Sequence, residues 1–540
     1  MGLGGRIFSE VWLKIRMFVD RISHSTLFAG PDQKLHKGRF AYPHELAALM
    51  AGTTPAVGTH FLIGIGPGNQ VLTVRPTDDQ RELGNIGVIS PPRHGKSLGA
   101  DTELLTWKYS FIVNDMKLEH YDRTAGYREK YSGPTFVVSP TGFGSRFDPF
   151  YNCHTEDDFL KMADYLLSPV HNGRPDPFIQ RACGMLTALF QAGYLEGWPL
   201  LPYCAHLIHF GPEAAADRLQ ALSQIHGLAE DQNLATRLLD RKIEHVNFAD
   251  LYLQNSWSNF AAIMRPLITE TVIRSFSGAD FTFEDVLLGK EVEENGTRVR
   301  KPISIYFHVP QDRQKALAPL SQLFWSSLLN GLSTLYYQRK GRDCHETLAL
   351  IDEAGVAPVP GLPELAASLP GAGISLWVDF QDLNQPKSLY GPDRARTLMN
   401  NLDTQIFSRQ SGLETQEYLA RKLGYTSAFA HSISSHADHQ TTEGENEQAI
   451  SVLTAQQIAE LSKTEVMCFH ASFHGGLKPI KARRMDWRLF PELVIRTKIP
   501  PPPLAPLPPL PPLQPLQVGK PFTPDFVDID ASSRRRAHPV

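Results

Sequence analysis

Short apolar runs alternate with amphipathic stretches along the first 150 residues, a pattern typical of parallel β/α construction. Two β-like runs flank a turn of Gly, Pro and Asn and predict a hairpin, because Gly and Asn adopt the left-handed backbone that such turns need. The predicted strands are Thr59–Ile65, Gln70–Val74, Ile86–Ile89, Ser110–Asp115 and Thr135–Ser139. A turn and short helix at His36–Met50 precede them, and a helix at Tyr121–Tyr131 joins the last two strands.

The pattern changes between Cys153 and Ala279, where apolar residues recur at helical spacing and convincing strands are lacking. Helices are predicted at Asp157–Leu167, Phe178–Leu195, Glu213–Ile225 and Asn255–Ile273. Sheet character then returns, with strands predicted at Ile303–Val309, Leu348–Ile351, Ile374–Asp379, Thr404–Ser408, Val466–Ala471 and Leu477–Ala482 and helices at Leu317–Arg339 and Glu414–Leu423. The sequence therefore predicts one α/β domain that carries an all-helical domain inside it.

Three other segments complete the predicted organisation. His431–Gln448 is polar and rich in Gly, Ser, His and Glu, which favours a mobile loop. Pro500–Pro515 consists largely of Pro and Leu, which favours a polyproline II or disordered tail, acting as a spacer or as a ligand for an aromatic-lined groove. The predicted divisions are an amphipathic segment (1–35), a first α/β part (36–152), the helical insertion (153–279), a second α/β part (280–495) and a Pro-rich, basic, disordered tail (496–540).

Composition adds few constraints. The formal net charge is −4, so any contact with nucleic acid has to use local patches or a ring of several subunits. The 5 cysteines are scattered, which favours buried thiols in a reducing cytoplasm. No apolar run is long enough for a transmembrane helix. Arg6–Arg21 predicts an amphipathic helix that packs on its own protein or lies at a membrane surface.

The strongest candidate chemistry lies directly after the strand at Ile86–Ile89. The sequence SPPRHGKS forms a P-loop pattern, although Ser90 occupies the position where the first glycine is usual. Such a loop cradles phosphates with the backbone N–H groups at a helix start. We expect Lys96 to reach the β- and γ-phosphates of ATP and the Ser97 hydroxyl to bind Mg²⁺. The candidate nucleotide-binding residues are Ser90, Pro91, Pro92, Arg93, His94, Gly95, Lys96 and Ser97.

A second half of the same site is predicted at LALIDE, Leu348–Glu353, where an apolar strand ends in two acids. In this Walker B pattern Asp352 binds Mg²⁺ through water and Glu353 polarises the attacking water. About 255 residues separate Lys96 from Asp352, more than the few β/α units that normally intervene. The helical insertion accounts for the excess length.

Several other polar residues have two readings. Gln381 follows the next strand and either senses the γ-phosphate as a catalytic residue or caps the strand at the surface. Asp115 and Lys117 end a strand expected beside the P-loop strand, where they line the same crevice or form a solvated turn. The histidines at 431, 436, 439, 470 and 474 match no zinc spacing, so a metal site is not predicted there.

Taken in order, these segments resemble the TraG-like coupling-protein ATPases of type IV secretion and conjugation, relatives of the FtsK/HerA DNA translocases. The resemblance runs from about His36 to Asp486 and rests on HKGRFAYPHELAAL, SPPRHGKSLG, NDMKLEHYDRTAGYREK, FDPFYN, LALIDEAGVAPVPGLPELAASLPGAGISLWVDFQDLNQ, SRQSGLETQEYLARKLG and LTAQQIAEL. It implies a RecA-like nucleotide domain with an inserted all-α domain, assembled as a homo-hexamer with ATP and Mg²⁺ between subunits. By the same resemblance Lys96 and Ser97 form the Walker A pair, Asp352 and Glu353 the Walker B pair, and Gln381 the sensor.

The implied function is delivery of a relaxase with its single-stranded DNA, or of protein substrates, to a secretion channel. Two departures from the family pattern stand out. The usual N-terminal transmembrane helices are not predicted, so a cytoplasmic protein is expected, at most peripheral at the inner face of the bacterial membrane through Arg6–Arg21. The stretch SLPGAGIS lacks the arginine finger of some relatives, which leaves Arg394, Arg396 and Arg409 as candidates. A cytosolic FtsK/HerA-like translocase and a non-hydrolysing substrate adaptor remain alternative functions.

Overall fold

The computed structural model describes residues 36–76, 82–167, 177–356, 358–435, 441–470 and 478–510. The predicted amphipathic helix at Arg6–Arg21 and the end of the tail, 511–540, lie outside the described residues. Among the described helices, none combines the length and the apolar character needed to cross a membrane.

A single 12-stranded sheet organises the fold. Its strands, in chain order, are β1 Phe61–Ile65, β2 Val71–Val74, β3 Ile86–Ile89, β4 Phe111–Asn114, β5 Thr135–Ser139, β6 Phe143–Gly144, β9 Ser304–Phe307, β10 Thr347–Ile351, β11 Ile374–Phe380, β12 Thr404–Ser408, β15 Glu465–His470 and β16 Ile480–Arg483. Two separate hairpins are formed by β7 Lys290–Glu294 with β8 Thr297–Lys301 and by β13 Tyr425–Ser435 with β14 Thr441–Ser451. The spatial order is β2-β1-β16-β15-β12-β3-β11-β10-β4-β9-β5-β6. The seven strands from β12 to β5 run parallel, and the pairs at both edges are antiparallel.

The parallel strands are buried on both faces because helices cover them, which explains their continuous apolar runs. In the α/β part the helices are α1 Lys96–Thr106, α2 Glu119–Tyr131, α11 Gln314–Arg339, α12 Leu362–Ser368, α13 Asn384–Tyr390, α14 Pro392–Asn400, α15 Leu413–Leu423, α16 Ala455–Ala459 and α17 Pro491–Thr497, and a 3₁₀ helix spans Pro43–Leu49. The structure confirms the predicted α/β class, and most predicted elements differ from the observed ones by only a few residues.

Between β6 and β7 the described residues contain helices and no strand, which confirms the predicted helical insertion. These helices are α3 Glu156–Leu167, α4 Pro177–Glu196, α5 Leu200–Phe210, α6 Pro212–Ile225, α7 Leu234–Leu239, α8 Leu251–Met264, α9 Glu270–Ser275 and α10 Phe283–Leu288. Their apolar core is continuous with that of the sheet. At the junction Phe147, which follows β6, contacts Phe324 of α11 at 5.0 Å, and Phe150 contacts Phe190 of α4 at 4.6 Å between ring centroids. The insertion therefore packs as an extension of the α/β core.

The prediction of a loop at His431–Gln448 is wrong for most of that segment. Residues Tyr425–Ser435 and Thr441–Ser451 pair in register as an antiparallel ribbon. Its base is attached to the start of the described chain, where the Gly38 N–H donates to the Tyr425 carbonyl at 2.8 Å. Polar composition indicated a loop, but cross-strand backbone pairing needs no apolar side chains.

The prediction of a disordered tail from residue 496 is also wrong for its first part. Helix α17 extends to Thr497, and the following segment runs along α2 and the β6 edge of the sheet. The Gly144 N–H donates to the Ala505 carbonyl and the Leu507 N–H donates to the Gly142 carbonyl, both at 2.9 Å. Leu507 is buried. Proline suits this position because an edge segment does not need every N–H for pairing.

One buried carboxyl group predicts how stability depends on pH. Glu103 of α1 is fully buried and accepts a hydrogen bond from the Leu62 N–H at 2.9 Å. Burial raises its pKa to about 8, whereas an unfolded chain has a glutamate pKa of about 4.3. Between these values the unfolded chain releases a proton that the folded chain keeps. The free energy of unfolding should therefore fall as pH rises, by at most ~1.4 kcal/mol per pH unit.

The Glu103→Gln variant should lose this part of the pH dependence, because the amide does not titrate. Thermal unfolding of both proteins between pH 5.5 and 8 measures the difference, with the melting temperature of the variant declining less steeply. Parallel declines would show that Glu103 is not protonated in the folded protein.

Candidate nucleotide-binding site

The loop between β3 and α1 has the strand–loop–helix geometry that the sequence predicts. Ser90, in the position of the usual first glycine, is buried. Its N–H donates to the Phe380 carbonyl at 2.9 Å, and its Oγ accepts a hydrogen bond from Ser408 Oγ at 2.7 Å. Since Phe380 ends β11 and Ser408 ends β12, this serine fixes the loop to both neighbouring strands. A serine here therefore supplies contacts that glycine lacks.

The turn into α1 requires glycine at position 95. Gly95 has φ +82° and Arg93 has φ +65°, both in the left-handed region. A Cβ on Gly95 would collide with the guanidinium of Arg484, which donates a hydrogen bond to the His94 carbonyl. The loop therefore delivers the N–H groups of the first turn of α1 to one point, where the helix dipole favours an anion.

The two motifs that lie far apart in sequence meet at this point. Lys96 Nζ lies 3.1 Å from Glu353 Oε1 and 3.8 Å from Asp352 Oδ1. The Lys96 side chain is only 7% exposed. Glu353 has φ +54°, an uncommon conformation for a residue other than glycine, which costs on the order of 1 kcal/mol or more. Backbone strain at a residue in contact with the P-loop lysine is typical of functional sites.

Gln381 belongs to the same cluster. Its Nε2 donates to Glu353 Oε2 at 3.0 Å, and its N–H donates to Gln385 Oε1 at 2.7 Å. The half-buried Gln381 side chain thus contacts the Walker B glutamate, which favours a role in the site over that of a strand cap. Its role as a sensor of the γ-phosphate stays a prediction.

Burial and neighbouring charges shift the pKa values of the ionisable groups in this cluster in opposite directions. Burial alone would raise the pKa of Asp352, but His120 and Lys96 hold it low, at about 2, so this carboxylate is ionised. Burial also opposes the charge of Lys96, yet the surrounding carboxyl groups of Asp379, Asp352 and Glu353 raise its pKa. Asp379 is fully buried, and burial holds its pKa well above the usual range.

Sequence reasoning missed Asp379, Ser408 and Arg484. Asp379 had a signal, because it is the single acid in the apolar strand ISLWVDF, directly beside the P-loop strand. Its carboxyl accepts a hydrogen bond from Trp377 Nε1 at 2.8 Å. Ser408 and Arg484 gave no such signal, because their contacts with the loop depend on which strands become neighbours.

The prediction that Asp115 lies beside the P-loop strand is wrong. Strands β11 and β10 lie between β3 and β4, which ends at Asn114. Asp115 is buried and accepts a hydrogen bond from the Tyr121 N–H at 2.7 Å, so it caps the start of α2. Lys117 is exposed.

The three candidate finger arginines differ in their surroundings. Arg394 forms an ion pair with Glu364 at 2.7 Å, and Arg396 pairs with Asp393 of its own helix at 2.5 Å. Arg409 is exposed at the end of β12, and its side chain makes no hydrogen bond or ion pair with any residue that the structure describes. It is therefore the one of the three without a competing partner among the described residues.

The histidines do not form a metal site in the described part of the chain, where no cluster of three metal-ligating side chains occurs. His470 Nδ1 is hydrogen-bonded to Thr404 Oγ1 at 2.8 Å. His436, His439 and His474, and the side chain of His431, lie outside the described residues.

ATP and Mg²⁺ fit the groups that this site presents. The cradle at Gly95, the buried Lys96 and the helix start suit a triphosphate. The ionised Asp352 and the hydroxyl of Ser97, the second residue of α1, are oxygen ligands of the kind that Mg²⁺ prefers. Bound Mg²⁺ would neutralise charge on the phosphates.

The fold and this site define a P-loop nucleotide-binding protein with a RecA-like α/β core. Residues 65–494 match the family described as type IV secretory system conjugative DNA transfer, and the chain belongs to that family.

Curated relatives are similar over most of this chain. It is 25% identical over 403 residues to the conjugal transfer protein TraG of Escherichia coli, covering 69% of this chain and 58% of TraG. It is 24% identical over 425 residues to protein VirD4 of Rhizobium radiobacter, covering 74% of this chain and 56% of VirD4. The chain thus spans somewhat more than half the length of these relatives.

Among solved structures, the bacterial conjugative coupling protein TrwB has the same fold. A trigonal form in complex with sulphate has a TM-score of 0.54 at 15% identity, covering 83% of this chain and 93% of that one. TrwB has also been solved in complex with ADP and Mg²⁺, with a TM-score of 0.53 at 14% identity.

Proposed function

We propose that this chain is the ATP-driven coupling protein of a type IV secretion or conjugation system. It would recruit a relaxase bound to single-stranded DNA, or protein substrates, and deliver them to the secretion channel. The observation that carries the proposal is the convergence of Lys96, Asp352, Glu353 and Gln381 at one end of the parallel sheet. Family membership and the nucleotide and Mg²⁺ complexes of TrwB support it.

In this function each residue has a separate task. Lys96 would contact the phosphate oxygens, and Ser97 and Asp352 would hold Mg²⁺. Glu353 would take a proton from the attacking water, while Gln381 keeps that carboxylate oriented.

A homo-hexameric ring would place a finger arginine, with Arg409 as the candidate, at the site of the next subunit. Ring-facing loops would hold DNA by its backbone charge, with little sequence preference. A cytoplasmic location with peripheral membrane contact through Arg6–Arg21 completes the proposal. The family match favours conjugation over a cytosolic FtsK/HerA-like translocase.

Phosphate release by the purified full chain, measured with Mg²⁺ and with or without single-stranded DNA, tests the proposal. We expect a severalfold stimulation by DNA that is independent of sequence and falls as salt rises. Lys96→Ala protein purified in parallel serves as the blank. Absence of turnover under all conditions would instead support the non-hydrolysing adaptor.

The transport role needs a cellular test. Deletion of the gene in a host with an otherwise complete conjugation system should abolish plasmid transfer, and the wild-type gene should restore it. Normal transfer together with a segregation or repair defect would favour the cytosolic translocase.

A further inference from the structure

His120 lies between two carboxylates that belong to different elements. Its Nδ1 is 2.6 Å from Asp101 Oδ1, and its Nε2 is 3.3 Å from Asp352 Oδ2. The imidazole side chain is only 3% exposed. Asp101 belongs to the P-loop helix α1, His120 to α2, and Asp352 follows β10. The histidine therefore joins the P-loop helix to the carboxylate expected to hold Mg²⁺.

The two ring nitrogens face carboxylates on opposite sides of the imidazole. Each faces a carboxylate oxygen, and a carboxylate only accepts. An imidazole with a single proton would place a lone pair against one of the two oxygens.

The outer end of this network is also fixed. Arg123 donates from Nη1 to Asp101 Oδ2 at 2.9 Å, and its Nη2 pairs with Glu119 at 2.9 Å. Both oxygens of Asp101 are thus occupied, one by arginine and one by histidine. This arrangement leaves the imidazole little freedom to rotate.

The inner end determines how Asp352 is presented. Its Oδ2 accepts from His120, whereas its Oδ1 accepts from the Glu353 N–H at 3.0 Å and lies 3.8 Å from Lys96 Nζ. The Asn114 side chain donates to the Asp352 carbonyl at 2.8 Å and holds the backbone. The oxygen that faces the P-loop is therefore the one that His120 leaves available.

We propose that His120, oriented by Asp101, is a positioning residue that holds Asp352 with Oδ1 directed to Mg²⁺. The inference rests on the proposed nucleotide site and extends it to a second layer of residues. Partners of this kind typically change metal affinity or activity by about 10- to 100-fold when removed.

A matched pair of substitutions separates the two ends of the imidazole. The amide nitrogen of Asn at position 120 reaches the place of Nδ1, whereas that of Gln reaches the place of Nε2. His120→Asn therefore keeps the contact with Asp101 and loses the one with Asp352, and His120→Gln does the opposite. We expect His120→Asn to raise the Mg²⁺ concentration for half-maximal ADP binding by about 10-fold or more, and His120→Gln to stay within about 3-fold of wild type.

Binding of ADP to the full chain by calorimetry, over a range of Mg²⁺, provides the main readout, and ADP binding without Mg²⁺ is the internal control. In turnover, His120→Asn should lower kcat by about 10-fold or more with KM for ATP changed less than about 3-fold. In an Asp352→Asn background the two histidine variants should be indistinguishable, because the group they act through is altered.

Equal Mg²⁺ dependence for the Asn, Gln and wild-type proteins would overturn the inference, whatever their thermal stability. If His120→Asn does not fold, His120→Leu, which also loses the contact with Asp352, should give the same direction of change. If the wild-type protein binds ADP with Mg²⁺ but does not hydrolyse ATP, that result contradicts only the proposed ATPase activity. The binding measurements on the His120 variants then still test the role of His120. A wild type that binds no nucleotide contradicts both.

Discussion

Replacing Glu353 with Gln is expected to reduce ATP hydrolysis by at least about 100-fold while nucleotide binding persists. Glutamine keeps the volume of the side chain and the oxygen that accepts from Gln381 at 3.0 Å. It cannot take a proton from water, so the chemical step loses its base. Removing the ion pair with Lys96 at 3.1 Å also frees that lysine for phosphate, so affinity for ATP should stay equal or rise.

The complementary substitution, Lys96→Ala, should remove both binding and turnover, because the variant lacks the cation that contacts the phosphates. A fluorescent ATP analogue measures binding, and phosphate release measures turnover. Glu364→Gln is a matched control, since Glu364 forms an exposed ion pair with Arg394 away from the loop. That control should hydrolyse ATP within about twofold of wild type. Turnover by Glu353→Gln above a tenth of the wild-type rate would show that another group is the base.

The chemistry of this site was predictable because each motif is local. Eight consecutive residues specify the loop after β3, and an apolar strand followed by Asp352 and Glu353 specifies the second half. A helical insertion was also readable, because periodicity over a dozen residues gives a strong signal. The pairing of the two halves then followed from general knowledge of phosphoryl transfer.

Strand order was not predictable to the same degree, because it depends on pairing between distant segments. The strand before Asp115 is expected beside the P-loop strand, which leaves Asp115 either lining the crevice or in a solvated turn, yet β11 and β10 separate this strand from β3. Arg484 reaches the His94 carbonyl from a strand that follows almost 400 residues later. Neither the separation of β4 from β3 nor the contact between Arg484 and His94 leaves a pattern in the local sequence around these residues.

Composition misled at two positions for related reasons. The polar segment at His431–Gln448 forms most of a β-ribbon held by backbone hydrogen bonds. The start of the Pro-rich tail lies along the sheet edge, where Leu507 is buried and its N–H donates to the Gly142 carbonyl. In both cases the partner lies elsewhere in the chain, and composition alone describes only the segment.

The largest effect on stability is expected at Arg128, whose guanidinium is fully buried in α2. It donates from Nε to Ser304 Oγ at 2.8 Å, from Nη2 to the Tyr109 carbonyl at 2.7 Å and from Nη1 to the Trp107 carbonyl. Burial lowers its pKa to about 10, so it stays charged at neutral pH. One side chain thus donates hydrogen bonds to a carbonyl at the end of α1 and to a carbonyl in the loop that leads into β4.

Arg128→Met should lower the free energy of unfolding by about 3 kcal/mol or more. The apolar side chain fills most of the space but leaves one buried carbonyl, one partly buried carbonyl and a buried hydroxyl without a donor, at about 1–3 kcal/mol each and not additively. Arg128→Lys should lose about half as much, because an ammonium retains the charge but cannot span all three acceptors. The midpoint of guanidinium unfolding measures both variants.

Lys130→Met, an exposed substitution two residues along the same helix, is the matched control and should change stability by less than about 0.5 kcal/mol. Equal midpoints for Arg128→Met and Lys130→Met would show that the buried donors contribute nothing net. Because α2 also carries His120 at its start, a folded Arg128→Met protein should bind Mg²⁺–ADP more weakly as well. Loss of stability without that change would show that the two ends of the helix are held independently.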